Sequence, residues 1–147
     1  MINASLWRPL KFPSRMGQMF SSFSGEKWNF ERVLAHAQKT SEQLSADSPR
    51  EYLIDVREVS EIKNTAAIPN AINIPCGSVE SALKSPKSFS QFAPGRQFPD
   101  AQEDKLIFSC QSGMRAGRAA VTAQSLGYEN VAVYPGSFSE WSAKIKQ

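Results

Sequence analysis

From about residue 28 onward the apolar positions of the chain switch repeatedly between helical and extended spacing. Phe30, Val33, Leu34, Ala37, Ser41 and Leu44 recur at helical intervals, which predicts a helix over about 29–44. His36, the only histidine, falls off that stripe and is expected on the solvated surface. After the break at Asp47-Ser48-Pro49, residues 51–56 read as a short apolar strand with the carboxylate of Asp55 near its end. Residues 71–74 form a second strand stopped by Pro75, 105–110 a third, and 131–134 a fourth. The stretch 77–104 is rich in Ser, Pro and Gln and carries only short helical patches, at 79–83 and 85–92. The helix after the third strand places Ala116, Ala119, Ala120, Ala123 and Leu126 on one side, a small-residue face that can lie close against a sheet, and Gly127 ends it. Pro135-Gly136 turns the chain, and Phe138, Trp141 and Ile145 mark a last helix, with Phe138 and Trp141 expected in the core.

Strands separated by helices argue for an α/β domain whose parallel sheet is covered on both faces. The chain has 147 residues, 41% of them apolar and 21% charged, as befits one globular domain. No apolar run approaches the ~20 residues that span a bilayer, so no membrane partner is expected. Two cysteines and one histidine cannot build a four-ligand zinc site or a disulfide framework, and neither a metal nor an organic cofactor is expected.

The formal charge of +3 is local in origin. Residues 1–25 hold Arg8, Lys11 and Arg15 and no acid, and taking these three from the 17 Lys and Arg leaves 14, matching the 14 Asp and Glu. A neutral body lacks an electrostatic footprint for nucleic acid. The 1–25 segment is rich in serine and mixes Leu6, Trp7, Leu10, Phe12, Met16, Met19 and Phe20 with its cations, the composition of a mitochondrial transit peptide. Pro9 and Pro13 interrupt an amphipathic helix, so a disordered basic tail is the other reading. The division expected is therefore 1–25 as leader or tail and 28–147 as the folded domain, with mitochondrial residence, in the matrix, if the leader is an import signal.

The candidate chemistry lies where the third strand meets the alanine-faced helix. Cys110 is followed by Gln111, Ser112, Gly113, Met114 and Arg115. A thiol at such a junction meets loop N–H groups, the positive end of a helix dipole and a guanidinium, all of which favour a thiolate. The same donors suit a small oxyanion. In parallel sheets ligands bind beyond the carboxyl ends of the strands, where Cys110 falls. The alternative is a buried, inert cysteine. Cys76, after Pro75, has neither a cation nor a helix start beside it and reads as a bystander.

Several segments resemble the rhodanese domain, in order: Tyr52-Leu53-Ile54-Asp55-Val56-Arg57-Glu58, Ile68-Pro69-Asn70-Ala71-Ile72-Asn73-Ile74-Pro75, Cys110 to Arg115, Leu126 to Val131, and Tyr134-Pro135-Gly136-Ser137 with Trp141. The likeness covers about 28–144 and is strongest to single-domain thiosulfate sulfurtransferases, including small fungal mitochondrial ones. It implies a single rhodanese-like domain with a mostly parallel five-stranded sheet and helices on both faces. It also implies that Cys110 cycles through a persulfide, with a small anionic donor, thiosulfate or a persulfide, held by the amides of Gln111, Ser112, Gly113 and Met114 and by Arg115. Asp55 and Arg57 would support the loop, and a thiol or cyanide would accept the sulfur. The Gly-His usual before Ile-Pro is here Ala66-Ala67, which leaves the nucleophile intact and alters the neighbouring surface. A thiolate attacking thiosulfate needs no general base, consistent with a histidine far from the loop. Two other readings remain. A cysteine-based phosphatase or arsenate reductase is disfavoured because four residues, rather than five, separate Cys110 from Arg115 and no general acid stands out. A non-catalytic binding module would be signalled by a missing cysteine or arginine, and both are present.

Overall fold

Alternate side chains of three central strands enter two separate apolar layers in the computed structural model, which describes residues 23–146. In β2 (Glu51–Asp55), β4 (Lys105–Ser109) and β5 (Asn130–Val133), the side chains of Tyr52, Ile54, Leu106, Phe108, Val131 and Val133 point into one layer. Leu53, Ile107 and Ala132 point into the other. The period-2 geometry of a strand does this, and burial of both faces explains why these runs are continuously apolar. Short edge strands β1 (Glu26–Lys27) and β3 (Ile72–Asn73) complete a five-stranded sheet of order β1-β5-β4-β2-β3, in which every pairing is parallel. β1 lies ahead of residue 28 and has no apolar pattern of its own. Phe23, just before it, is buried in the first layer. The residues of the expected leader up to 22 lie outside the described residues.

The helices between the strands are α1 (Phe30–Ala37), α2 (Ser41–Ala46), α3 (Val59–Asn64), α4 (Val79–Ala82), α5 (Pro86–Phe92), α6 (Met114–Ser125) and α7 (Ser137–Ile145). The first layer is closed by Ala116, Ala119, Ala120 and Ala123 of α6, with Val79, Ala82 and Phe89 from the two short helices. The second is closed by Val33 of α1 and by Phe138 and Trp141 of α7, so the alanine face and both core aromatics stand where periodicity puts them. Gly127, at φ +97°, ends α6 in the left-handed region that glycine tolerates.

Two expectations are corrected. The helix expected over 29–44 is two helices. Asn70 donates to the carbonyls of His36 (3.0 Å), Ala37 (3.2 Å) and Lys39 (3.0 Å), taking up the orphan acceptors at the end of α1. Thr40 then starts α2 with a capping box, its hydroxyl accepting from the Gln43 N–H (3.2 Å) and its own N–H donating to Gln43 Oε1 (2.8 Å). Apolar spacing carries straight through this break because it records burial and is blind to caps. His36 is likewise not on the surface but 1% exposed. Trp28 meets its ring edge-on at 6.4 Å, and its Nδ1 lies 3.4 Å from Glu51 Oε1. The hydrogen bond shared with His36, opposed by burial and reinforced by Lys39, holds the Glu51 carboxyl at about 2. The stripe on α1 marks its most apolar side, whereas His36 is covered by elements from elsewhere in the chain. It sits beside the first residue of β2, at the opposite end of the strands from Cys110.

Candidate active site

The strand order reverses direction between β2 and β4: the chain runs from β2 outward to β3, then returns to β4 on the other side and continues to β5. The crevice beyond the carboxyl ends of two such strands is where open α/β sheets bind ligands. Asp55 and Ser109, the last residues of β2 and β4, are paired in register there, and Cys110 follows directly.

The loop from Cys110 to Gly113 is held on its outer side by the start of α7. Cys110 N–H donates to Ser137 Oγ (3.1 Å), Phe138 N–H donates to the Cys110 carbonyl (2.9 Å), and the Gln111 carbonyl accepts from Ser139 N–H (3.0 Å) and Ser139 Oγ (2.7 Å). The loop therefore closes on itself. Gly113 N–H points at Cys110 Sγ at 3.0 Å, and Ser137 Oγ is 3.9 Å from the same sulfur. Gly113 is the N-cap of α6 and has no side chain, so no capping group covers the first-turn amides of that helix. An N–H donor at the sulfur and the helix dipole behind it both stabilise negative charge there. Cys110 itself is 1% exposed.

Glycine is required at position 113. Its φ is +103°, and a Cβ there would lie 2.7 Å from the Pro135 carbonyl oxygen, a backbone atom that cannot swing aside. Gly113→Ala is expected to cost about 1–3 kcal/mol of loop strain, or roughly tenfold to a hundredfold in the rate of any reaction at Cys110 if the strain displaces the Gly113 amide. Steady-state kinetics beside thermal unfolding check this; wild-type rates would show that the loop accommodates a methyl group.

Behind the loop, Arg57 and Asp55 form a buried pair, 0% and 1% exposed. Arg57 Nε lies 3.1 Å from both Asp55 oxygens, and Nη2 donates to Asp55 Oδ2 (2.8 Å) and the Ala66 carbonyl (2.8 Å). Nη1 donates to Thr65 Oγ1 (3.0 Å) and Gln111 Oε1 (3.5 Å). All five guanidinium hydrogens thus have partners, as burial of such a charge demands. Its face stacks on the Phe138 ring at 4.2 Å. At the Ala66-Ala67 departure the contact to Arg57 is made by backbone, and both methyl groups are exposed.

Arg115, in the first turn of α6, reaches Glu61 on α3. Nη1 donates to Oε2 at 2.6 Å and Nη2 to Oε1 at 2.9 Å, an end-on bidentate pair between residues 54 apart. Hydrogen bonds from Arg115, then from the Glu58 N–H, hold the Glu61 carboxyl at about 2, and the same pairing pushes the Arg115 guanidinium upward. The side chains are 29% and 34% exposed, so the pair stabilises the fold by at most about 1 kcal/mol. Ser112 and Met114 face solvent, and Met114 is 72% exposed. The Gln111 side chain is occupied with Arg57 and, at 3.2 Å, with Ser139 Oγ. Cys76 is half-buried, with Sγ 3.7 Å from the Arg115 carbonyl, and burial pushes its thiol up. No group of three or more potential metal ligands occurs among the described residues.

Glu61 and Ser137 were not legible as site residues. Ser137 had one usable signal, since a turn ending β5 must lie beside the end of the neighbouring β4. Glu61 had none.

A family model described as the rhodanese-like domain matches residues 36–144. The mitochondrial thiosulfate sulfurtransferase RDL2 of Saccharomyces cerevisiae is 45% identical over 96 residues, 65% of this chain and 62% of the yeast protein. The human thiosulfate:glutathione sulfurtransferase is 37% identical over 97 residues, 66% of this chain and 84% of the human one. A crystal structure of yeast RDL2 superposes with a TM-score of 0.63 at 35% identity, covering 85% of this chain and 94% of that one.

Proposed function

Because the chain belongs to the rhodanese family, we propose that it moves a sulfane sulfur from thiosulfate, or a related persulfide donor, to a thiol or cyanide acceptor through a persulfide on Cys110. The observation that carries this reading is the Gly113 N–H at 3.0 Å from Cys110 Sγ, in a loop closing onto an uncapped helix start. The thiolate attacks the outer sulfur of thiosulfate, a sulfur–sulfur bond forms on Cys110, the original one breaks, and sulfite leaves with the bonding pair. The charge then rests on the outer sulfur of Cys110–S–S⁻, about 2 Å further out than the buried Sγ. Loop amides of Ser112, Gly113 and Met114 and the side chain of Arg115 hold it there. An acceptor thiolate takes that sulfur and returns Cys110 as thiolate, so each half-reaction balances without a proton. The lone imidazole, buried at the other end of β2, is not needed.

Asp55 and Arg57 support the loop from behind through Gln111. Glutathione, in the name of the human relative, exemplifies the acceptor class proposed here. Mitochondrial residence is proposed from the acid-free basic 1–25 segment and from the mitochondrial yeast relative. The phosphatase reading is not favoured: the carboxylate joined to Arg115 is ionised, with Glu61 at about 2, and cannot protonate a leaving oxygen. Steady-state assays with thiosulfate and a thiol or cyanide test the proposal. Sulfite release with ping-pong kinetics is expected; hydrolysis of an aryl phosphate without sulfite release would overturn it.

A further inference from the structure

The pair between Arg115 and Glu61 has a consequence for donor binding, and it rests on the sulfur-transfer reading above. An end-on grip on a guanidinium uses one hydrogen each of Nη1 and Nη2 and leaves three, including Nε–H. Arg115 makes no other side-chain hydrogen bond among the described residues. Glu61 is itself fixed. Its Oε2 also accepts the Glu58 N–H (2.8 Å), and its carbonyl accepts from Thr65 Oγ1 (2.8 Å), which in turn receives a bond from the buried Arg57 (3.0 Å). A chain of contacts therefore runs from the Asp55–Arg57 pair behind the loop, through α3, to the cation at its front.

We propose that Glu61 is a positioning residue for donor binding: its carboxylate fixes Arg115 end-on, so that the remaining guanidinium N–H groups face the mouth of the Cys110 loop and hold the oxyanion of thiosulfate. Without Glu61, a long, partly exposed arginine samples many rotamers, and the oxyanion must order it on binding. Glu61, like any glutamate of ordinary acidity, is ionised at neutral pH, and the hydrogen bonds from Arg115 and the Glu58 N–H lower it further, so the grip persists under assay conditions.

A double-mutant cycle on the full chain tests this, with kcat and KM for thiosulfate and thermal unfolding measured for wild type, Glu61→Ala, Glu61→Gln, Arg115→Ala and Glu61→Ala/Arg115→Ala. Glu61→Ala is expected to lower kcat/KM about tenfold, mostly through a raised KM, with little change in unfolding temperature. Glu61→Gln keeps one acceptor for Arg115 and recovers part of the loss. On the Arg115→Ala background, removing Glu61 brings no further loss, since it acts only through the arginine. An equal loss on both backgrounds, or a KM that falls in Glu61→Ala because the carboxylate was competing with the donor, overturns the inference. Absence of sulfite release from wild type would instead overturn the sulfur-transfer reading on which it rests.

Discussion

Cys110→Ser is expected to abolish sulfur transfer from thiosulfate, by about a thousandfold or more, while the protein stays folded. The covalent route needs a soft sulfur nucleophile that can carry a second sulfur, which a serine hydroxyl without a base cannot replace. The Gly113 N–H would remain to bond the new hydroxyl, and the replacement is nearly isosteric, so the loop has no reason to collapse. No second thiol stands ready: Cys76 is pushed up by burial, and its Sγ is directed to the Arg115 carbonyl. Sulfite release and thermal unfolding of the variant, run side by side, check both halves. Retained turnover would place the nucleophile elsewhere.

Asp55→Ala is expected to destabilise the fold by about 3–5 kcal/mol, because it leaves the guanidinium of Arg57 fully buried without its counter-charge. Against a typical total stability of about 5–15 kcal/mol, that loss is large, and the unfolding temperature should fall by roughly 10–20 °C. Asp55 also accepts the Arg57 backbone N–H at 3.0 Å, so the end of β2 loses a turn contact as well. The double replacement Asp55→Leu/Arg57→Met should recover much of the stability, since an apolar pair of similar volume avoids burying charge. Its sulfur transfer should stay impaired, because the hold of Arg57 on Gln111 and Thr65 is gone. Urea unfolding of wild type and the two variants measures this; an Asp55→Ala protein within about 1 kcal/mol of wild type would mean that water or a neighbour compensates Arg57.

What could be read from the sequence was what repeats. The continuous apolar runs of β2, β4 and β5 and the alanine face of α6 are set by periods of 2 and 3.6, and these fixed the layered α/β architecture and put Cys110 at a strand end. β1 was invisible because two exposed residues, Glu26 and Lys27, carry no period. It forms by pairing with β5, a tertiary event. The same cause hid the break after Ala37, where Asn70 caps a helix from more than thirty residues away, and the burial of His36 beneath Trp28 and Glu51. In the candidate site, the position of Cys110 and its loop was legible because a strand-to-helix junction is local. The Arg115–Glu61 grip was not, since 54 residues separate its partners and a glutamate on a short helix looks like any solvated carboxylate. Asp55 and Arg57 were singled out only through resemblance, and their mutual geometry supplies the physical reason.

Intact mass spectrometry of the protein after thiosulfate, followed by peptide mapping, tests the assignment of Cys110 most directly. A gain of about one sulfur, ~32 Da, is expected on the peptide holding Cys110 and not on the one holding Cys76, and it should disappear when a thiol acceptor is added. An unchanged mass, or a gain confined to Cys76, would contradict a persulfide held in the Cys110 loop.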